Sequence, residues 1–309
     1  MPSATLLLPA RERFGGQRLT ADVAKAMGRA DRRTESGQQS TRVFDILPRG
    51  WPVAAVTRQR DAGDAALSAW LRADPAYVRP DINGARLLAY GDALALTQEE
   101  VAELLRPLWP LFGDTGFTLD APTPSRWYLR LPREARLPAF NSPDEALGAD
   151  LFEHLPEGPE GRRWRSLLSE AQVTLHNHPV NERRSAAGKP PVNSLWFWGA
   201  STLPDHVATS HTAIFSDDDE IRAFAAAAKA SAMPLPARYG TAGGERLFDL
   251  RHVRDLAQLQ LQWIEPVLAD LRAGHVTHVT LDFADAARFV MRGGQRWRFW
   301  RRPLGSIAA

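Results

Sequence analysis

Apolar positions along the chain fall into short runs and helical stripes, and the change from one to the other predicts its elements. Residues 5–8 (TLLL) form a short apolar run that predicts a buried strand. Residues 52–56 (PVAAV) read as a second strand. Over 61–72, Ala65, Leu67, Ala69, Trp70 and Leu71 follow a helical pattern that stops at Asp74-Pro75. Residues 86–90 (RLLAY) predict a strand. Thr97-Gln98-Glu99-Glu100 then has the spacing of a capping box, and Val101, Leu104, Leu105, Leu108 and Phe112 follow at helical intervals. Residues 117–119 and 127–131 alternate as strands. Residues 132–161 are rich in Pro, Glu and Gly and predict irregular chain. A helix over 162–173 places Trp164, Leu167, Leu168 and Ala171 on one face.

Beyond Gly199 strands and helices alternate. Residues 212–215 predict a strand, and Asp217, Asp218 and Asp219 form an acidic start to an alanine-rich helix reaching residue 232, which suits the helix dipole. A strand at 246–250 precedes a long amphipathic helix over 253–273 carrying Leu256, Leu259, Trp263, Val267 and Leu271. Residues 276–283, 288–291 and 296–300 read as a meander, the last two strands joined through Gly293-Gly294. This alternation favours an α/β fold. The organisation expected is a discontinuous α/β core, 1–70 plus 191–309, with a smaller α+β domain inserted at 71–190.

Composition narrows the classes. The chain has 309 residues, 44% of them apolar, with 10 Trp to anchor a core. It has no apolar run of about 18 residues, so no transmembrane helix and no membrane partner are expected. Cysteine is absent, which excludes disulfides, thiolate zinc sites and cysteine nucleophiles. A cytoplasmic location is the expectation. The formal net charge is +2, and of 38 basic side chains only Lys25, Lys189 and Lys229 are lysines. Near-neutrality argues against a dedicated nucleic-acid partner.

Residues 176–201 (HNHPVNERRSAAGKPPVNSLWFWGAS) concentrate the candidate chemistry. Pro190 and Pro191 stiffen the chain, which reads as a rigid loop leading into a buried strand. Arg183, Arg184 and Lys189, with His176, His178, Asn181 and Asn193, are candidate ligand-binding residues: guanidinium forks match phosphate oxygens. The equal alternative is structural, with the amides and histidines tying down the backbone. His176, His178, Asp205, His206 and His211 match no tight metal spacing, and no metal ligand is assigned. Asp217 to Glu220 has a sufficient role as a helix start. At the C-terminus, Arg296-Trp297-Arg298-Phe299-Trp300-Arg301-Arg302 interleaves bases and aromatics as single-strand binders do, but the period-2 alternation of a strand with one apolar face explains it equally. No G-x-S-x-G elbow is present and no catalytic residue is assigned.

The segment HPVNERRSAAGKPPVNSLWFWG (178–199) resembles a signature of the archaeal-type cofactor-independent phosphoglycerate mutases. Asp74-Pro75, Leu96 to Glu100, Phe117 and Arg126-Trp127-Tyr128 resemble that family's inserted domain. In size and wording the chain is closer still to the RpfE-type regulatory proteins. The resemblance implies an alkaline-phosphatase-like sheet with an inserted α+β domain, and a phosphorylated or anionic small-molecule ligand. It also implies, in active mutases, an early Asp-Gly-x-Gly-Asp-type metal motif, a nucleophilic serine and later metal ligands. Here the first strand leads instead into Pro9-Ala10-Arg11-Glu12-Arg13. The reading is therefore a mutase-like protein without catalysis or cofactor, acting as a regulatory or ligand-binding protein. A divalent metal enters only under the alternative of an active mutase or phosphatase with a divergent site; a further alternative is nucleic-acid binding through the C-terminus.

Overall fold

A computed structural model describes residues 1–82, 84–241 and 243–307. The fold is α/β, and its contacts divide the chain into two units: Met1–Gly50 with Asp205–Ala309, and Trp51–Pro204. The second unit is thus wider at both ends than the 71–190 expected from sequence, because the helix Val53–Ala62 and the strand Ser194–Thr202 both pack with the strand Ala69–Asp81.

The first unit is built on a seven-stranded sheet. In spatial order its strands are Ser231–Met233, Ala213–Phe215, Glu245–Asp249, Ser3–Leu8, His278–Phe283, Ala287–Arg292 and Asp31–Thr34. The first five run parallel and the last two join antiparallel. Ser3–Leu8 lies at the centre and is buried along its whole length, so its apolar residues form a run rather than an alternation. Leu6, Leu8, Phe248, Trp263, Leu281 and Phe283 share one core with Val23 and Met27. The long helix forms from Leu256 to Ala273, with a π-helical turn over Gln260–Ile264.

The second unit is an antiparallel sheet whose backbone is the 13-residue strand Ala69–Asp81. One edge of that strand pairs with Ser194–Thr202; the other pairs first with Arg126–Leu131 and then with Gly84–Tyr90. Thr118–Thr123 completes the sheet. Helices Gln98–Gly113 and Gly158–His176 share its main core through Leu104, Leu108, Phe112, Trp164 and Leu168.

Four expectations are corrected. Residues 52–56 are the start of a helix, and the helix expected over 61–72 is replaced by a turn and a strand. A short apolar run has no period that separates a buried helix from a strand. Ala69 to Ala76 are all buried, with Ala69, Leu71 and Ala73 in the main core and Trp70 in a second one against Ala54 and Ala55, so both faces are covered and the alternation that would have marked a strand is lost. Residues 195–198 pair with Ala69–Asp81 rather than with the first unit's sheet. Finally, residues 296–300 are not a strand: Gly293–Trp297 is a 3₁₀ helix, and Ala287–Arg292 takes its second partner from Asp31–Thr34.

Gly199 shows how tightly the second unit is closed. Its φ is +67°, and a Cβ there would lie 2.2 Å from Val53 Cγ1. Gly199→Ala is expected to lower unfolding stability by about 2 kcal/mol, read as a reduced urea midpoint with the slope unchanged.

Candidate functional site

The 176–201 segment is more regular than a loop. His176 ends the helix Gly158–His176, and Pro179–Ala186 is a second helix. His178 is its N-cap, with Nδ1 accepting from Val180 N at 3.3 Å, and Pro179 takes the first helical position, where no donor is needed. That cap-then-proline order was the sequence signal for the helix. Burial and the neighbouring Arg183 lower the His178 pKa, against an opposing pull from Glu103.

The polar side chains of this segment mostly serve the backbone. Asn181 is buried; its Nδ2 donates to Leu175 O and Val192 O at 2.8 and 2.9 Å, and its Oδ1 accepts from Val192 N at 2.7 Å. Asn193 pairs with both backbone groups of Val78 at 2.8 and 2.7 Å. Arg184 is 1% exposed. Its Nε donates to Pro190 O at 2.9 Å, Nη2 to Leu94 O at 2.5 Å and Nη1 to Glu100 Oε2 at 2.8 Å. The same Glu100 oxygen accepts from Thr97 N at 2.9 Å, closing the capping box of Gln98–Gly113. Arg184 therefore fastens the 176–201 segment to the capped helix, and its burial closes the fork to a phosphate from solvent. Arg183 is exposed and paired with Glu103 at 2.7 Å, and Lys189 is exposed. The expected clamp is divided accordingly: the structure sets Arg184, Asn181 and Asn193 into the fold and leaves Arg183 and Lys189 at the surface. His176 and Asn193 line a cleft of about 730 Å³ together with Ser169, Gln172 and Phe152.

In open α/β sheets ligands bind beyond the carboxyl ends of the strands. In the first unit, three carboxylates stand at this edge that sequence reading did not single out. Asp249 is 5% exposed; its oxygens accept from Arg251 Nε and Nη2 at 2.8 and 2.7 Å and from Ser216 Oγ at 2.8 Å. Arg251 Nη2 also reaches Asp218 Oδ2 at 2.8 Å, while Asp218 Oδ1 caps the helix Asp219–Ala227, as its acidic start predicts. Burial pushes the Asp249 carboxyl up, but the Arg251 fork outweighs it and holds the pKa below the usual range. Asp282 accepts from Arg42 Nη2 at 2.5 Å, and Gln39 Nε2 bridges Leu8 O and Asp282 O at 3.0 and 2.6 Å. Asp285 accepts from Arg11 Nε at 2.7 Å. Guanidinium groups thus stand against all three carboxylates. Among the described residues no group of three His, Asp or Glu is placed to hold a metal ion. The donors do not fit a divalent site in this geometry.

Of the histidines weighed for metal binding, His206 is exposed, whereas His211 is mostly buried and its Nδ1 has no hydrogen-bond partner. Burial pushes its pKa down to about 4.

Comparison with known proteins gives a local likeness. No family model matches the chain. Over 62 residues it is 40% identical to a probable 2,3-bisphosphoglycerate-independent phosphoglycerate mutase of Geobacter sulfurreducens, and likewise to a mutase of that name from Methanosarcina barkeri. Each match covers 20% of this chain and 16% of the relative. Among solved structures, a cofactor-independent phosphoglycerate mutase from Thermoplasma acidophilum aligns over 94% of this chain and 89% of its own, at 13% identity and a TM-score of 0.42. A Pyrococcus horikoshii protein aligns over 99% and 92%, at 15% identity and 0.45. Scores at this level add no argument to the fold described above. The sequence likeness is confined to one fifth of the chain.

Two outcomes follow. Arg251→Ala leaves Asp249 buried without its cation, and is expected to cost about 3 kcal/mol in urea unfolding, with Asp249→Asn in the same chain recovering part of the loss. For His211, a folded-state pKa below the unfolded value gives stability that is complete above about pH 6.5 and is lost as the pH falls towards 4. His211→Gln is expected to flatten the unfolding free energy across that window; an unchanged slope would contradict the burial of a neutral ring.

Proposed function

We propose that the chain is a phosphoglycerate-mutase-like protein of the alkaline-phosphatase superfamily, of the RpfE type, that does not carry out phosphoryl transfer and serves as a regulatory or ligand-binding protein. The observation behind this reading is the sheet edge of the first unit. Two-metal phosphoryl transfer requires carboxylates and histidines free to ligate cations that activate the nucleophile and stabilise the developing charge. At this edge Asp249, Asp282 and Asp285 are matched by Arg251, Arg42 and Arg11. A guanidinium neutralises a carboxylate but neither ligates an oxygen nucleophile nor acts as a Lewis acid. Local identity to mutases supports the ancestry and has no bearing on whether turnover persists.

The ligand expected by resemblance is a phosphorylated small molecule. Support for it within 176–201 reduces to Arg183 and Lys189. The Arg183–Glu103 pair is exposed and screened by solvent, so an incoming phosphate can exchange for Glu103 at little cost.

The test has two arms. Purified protein incubated with 3-phosphoglycerate and manganese is expected to give no 2-phosphoglycerate; turnover proportional to protein, abolished by chelation, would restore an active mutase. A melting-temperature screen of phosphorylated metabolites is expected to find a saturable rise that Arg183→Ala removes. A rise that survives Arg183→Ala would move the ligand elsewhere.

A further inference from the structure

The C-terminal segment loses its structural explanation once the fold is known. An apolar strand face would bury alternate residues of 296–300, yet Trp297, Phe299 and Trp300 are 65%, 78% and 69% exposed. They are held in place rather than left loose. Arg29 Nη1 donates to Arg296 O at 2.7 Å, Arg298 Nη1 to Asp31 Oδ1 at 2.6 Å and Arg301 Nη1 to Ala30 O at 2.9 Å. Leu304 N donates to Ala24 O at 2.9 Å, and Leu304 and Ile307 enter the first unit's core. The tail runs so close to the helix Ala21–Arg29 that a Cβ at Gly28 would lie 2.3 Å from Arg302 O. Three large aromatic faces are therefore presented to water on a fixed backbone.

Charge accompanies them. Residues 292–302 contain five arginines and no acid. Asp31 answers Arg292 and Arg298, and those cations with Arg301 hold its pKa below the usual range against the smaller effect of burial. Arg32, Arg301 and Arg302 with Gly28 line an open cleft of about 390 Å³ that has no carboxylate in its described lining. Arg296 lies over the Trp297 ring at 5.1 Å, and the Phe299 and Trp300 rings meet edge to face at 5.5 Å. The near-neutral net charge of the chain conceals this local concentration.

We propose that this surface binds single-stranded nucleic acid, with phosphates at the Arg32–Arg301–Arg302 cleft and bases stacked on Trp297, Phe299 and Trp300. Stacking faces beside a guanidinium cleft suit a flexible polyanion that carries its own planar rings. A duplex hides those rings, and an anionic bilayer offers none. The site belongs to the first unit and is independent of the mutase-like reading.

Fluorescence anisotropy with labelled oligothymidylate and oligouridylate of about 15 nucleotides, at low and raised salt, tests it. Binding is expected for single strands, weaker for a duplex of equal length, and falling linearly on a log–log salt plot. Trp300→Ala is expected to weaken binding about tenfold at every salt concentration. Arg301→Ala with Arg302→Ala is expected to reduce the salt slope by about 1.4. Circular dichroism checks that both variants stay folded. The proposal is overturned if no oligonucleotide binds at low salt, if both variants bind like the parent chain, or if phosphatidylserine–phosphatidylcholine vesicles bind while single strands do not.

Discussion

A carboxylate taken out of water must be neutralised, and for the buried Asp74, Asp249 and Asp282 the neutralising group is a guanidinium. Asp74, fully buried, accepts from Arg72 at 2.9 and 2.8 Å, from Trp198 Nε1 at 2.7 Å and from the backbone N–H of Trp127 at 3.3 Å. Desolvation still raises its pKa, against the pull of Arg72. That knot ties the strand Ala69–Asp81 to Ser194–Thr202 and Arg126–Leu131. Glu100 with Arg184 does the same for the capped helix, and Asp249 with Arg251 for the edge of the parallel sheet. Arginine is suited to this work because its planar fork satisfies two oxygens while a third nitrogen reaches a carbonyl or a second acid. The excess of arginine over lysine has structural use here.

This pairing decides what a stretch dense in polar chemistry amounts to once folded. The 176–201 segment is dense in donors because it has many carbonyls to hold, from Leu94 to Pro190 and Val192. The sheet edge is rich in carboxylates, but arginines stand against them. At the C-terminus, by contrast, 292–302 carries five arginines, and among the described residues Asp31 answers Arg292 and Arg298.

Much of this was legible in sequence, and the reasons for the rest are physical. The capping box at Thr97, the acidic start at Asp218 and the buried first strand are local patterns, and they fold as read. The strand Ala69–Asp81 was not legible, since burial on both sides removes the period-2 pattern. The carboxylate–arginine pairs join residues up to 274 positions apart, as Arg11 and Asp285 are, and no spacing rule reaches that far. The C-terminal aromatics alternate with bases as a strand would; only the partner strands, which chose Asp31–Thr34 instead, could show that no second sheet face was there to bury them.

Equilibrium metal binding tests the central claim most directly. Protein dialysed against manganese or zinc, then assayed by elemental analysis, is expected to retain no stoichiometric ion, because the sheet-edge carboxylates are already engaged by Arg251, Arg42 and Arg11. One or two ions per chain, lost on Asp249→Asn or Asp282→Asn, would show that the arginines yield to metal and would contradict the account.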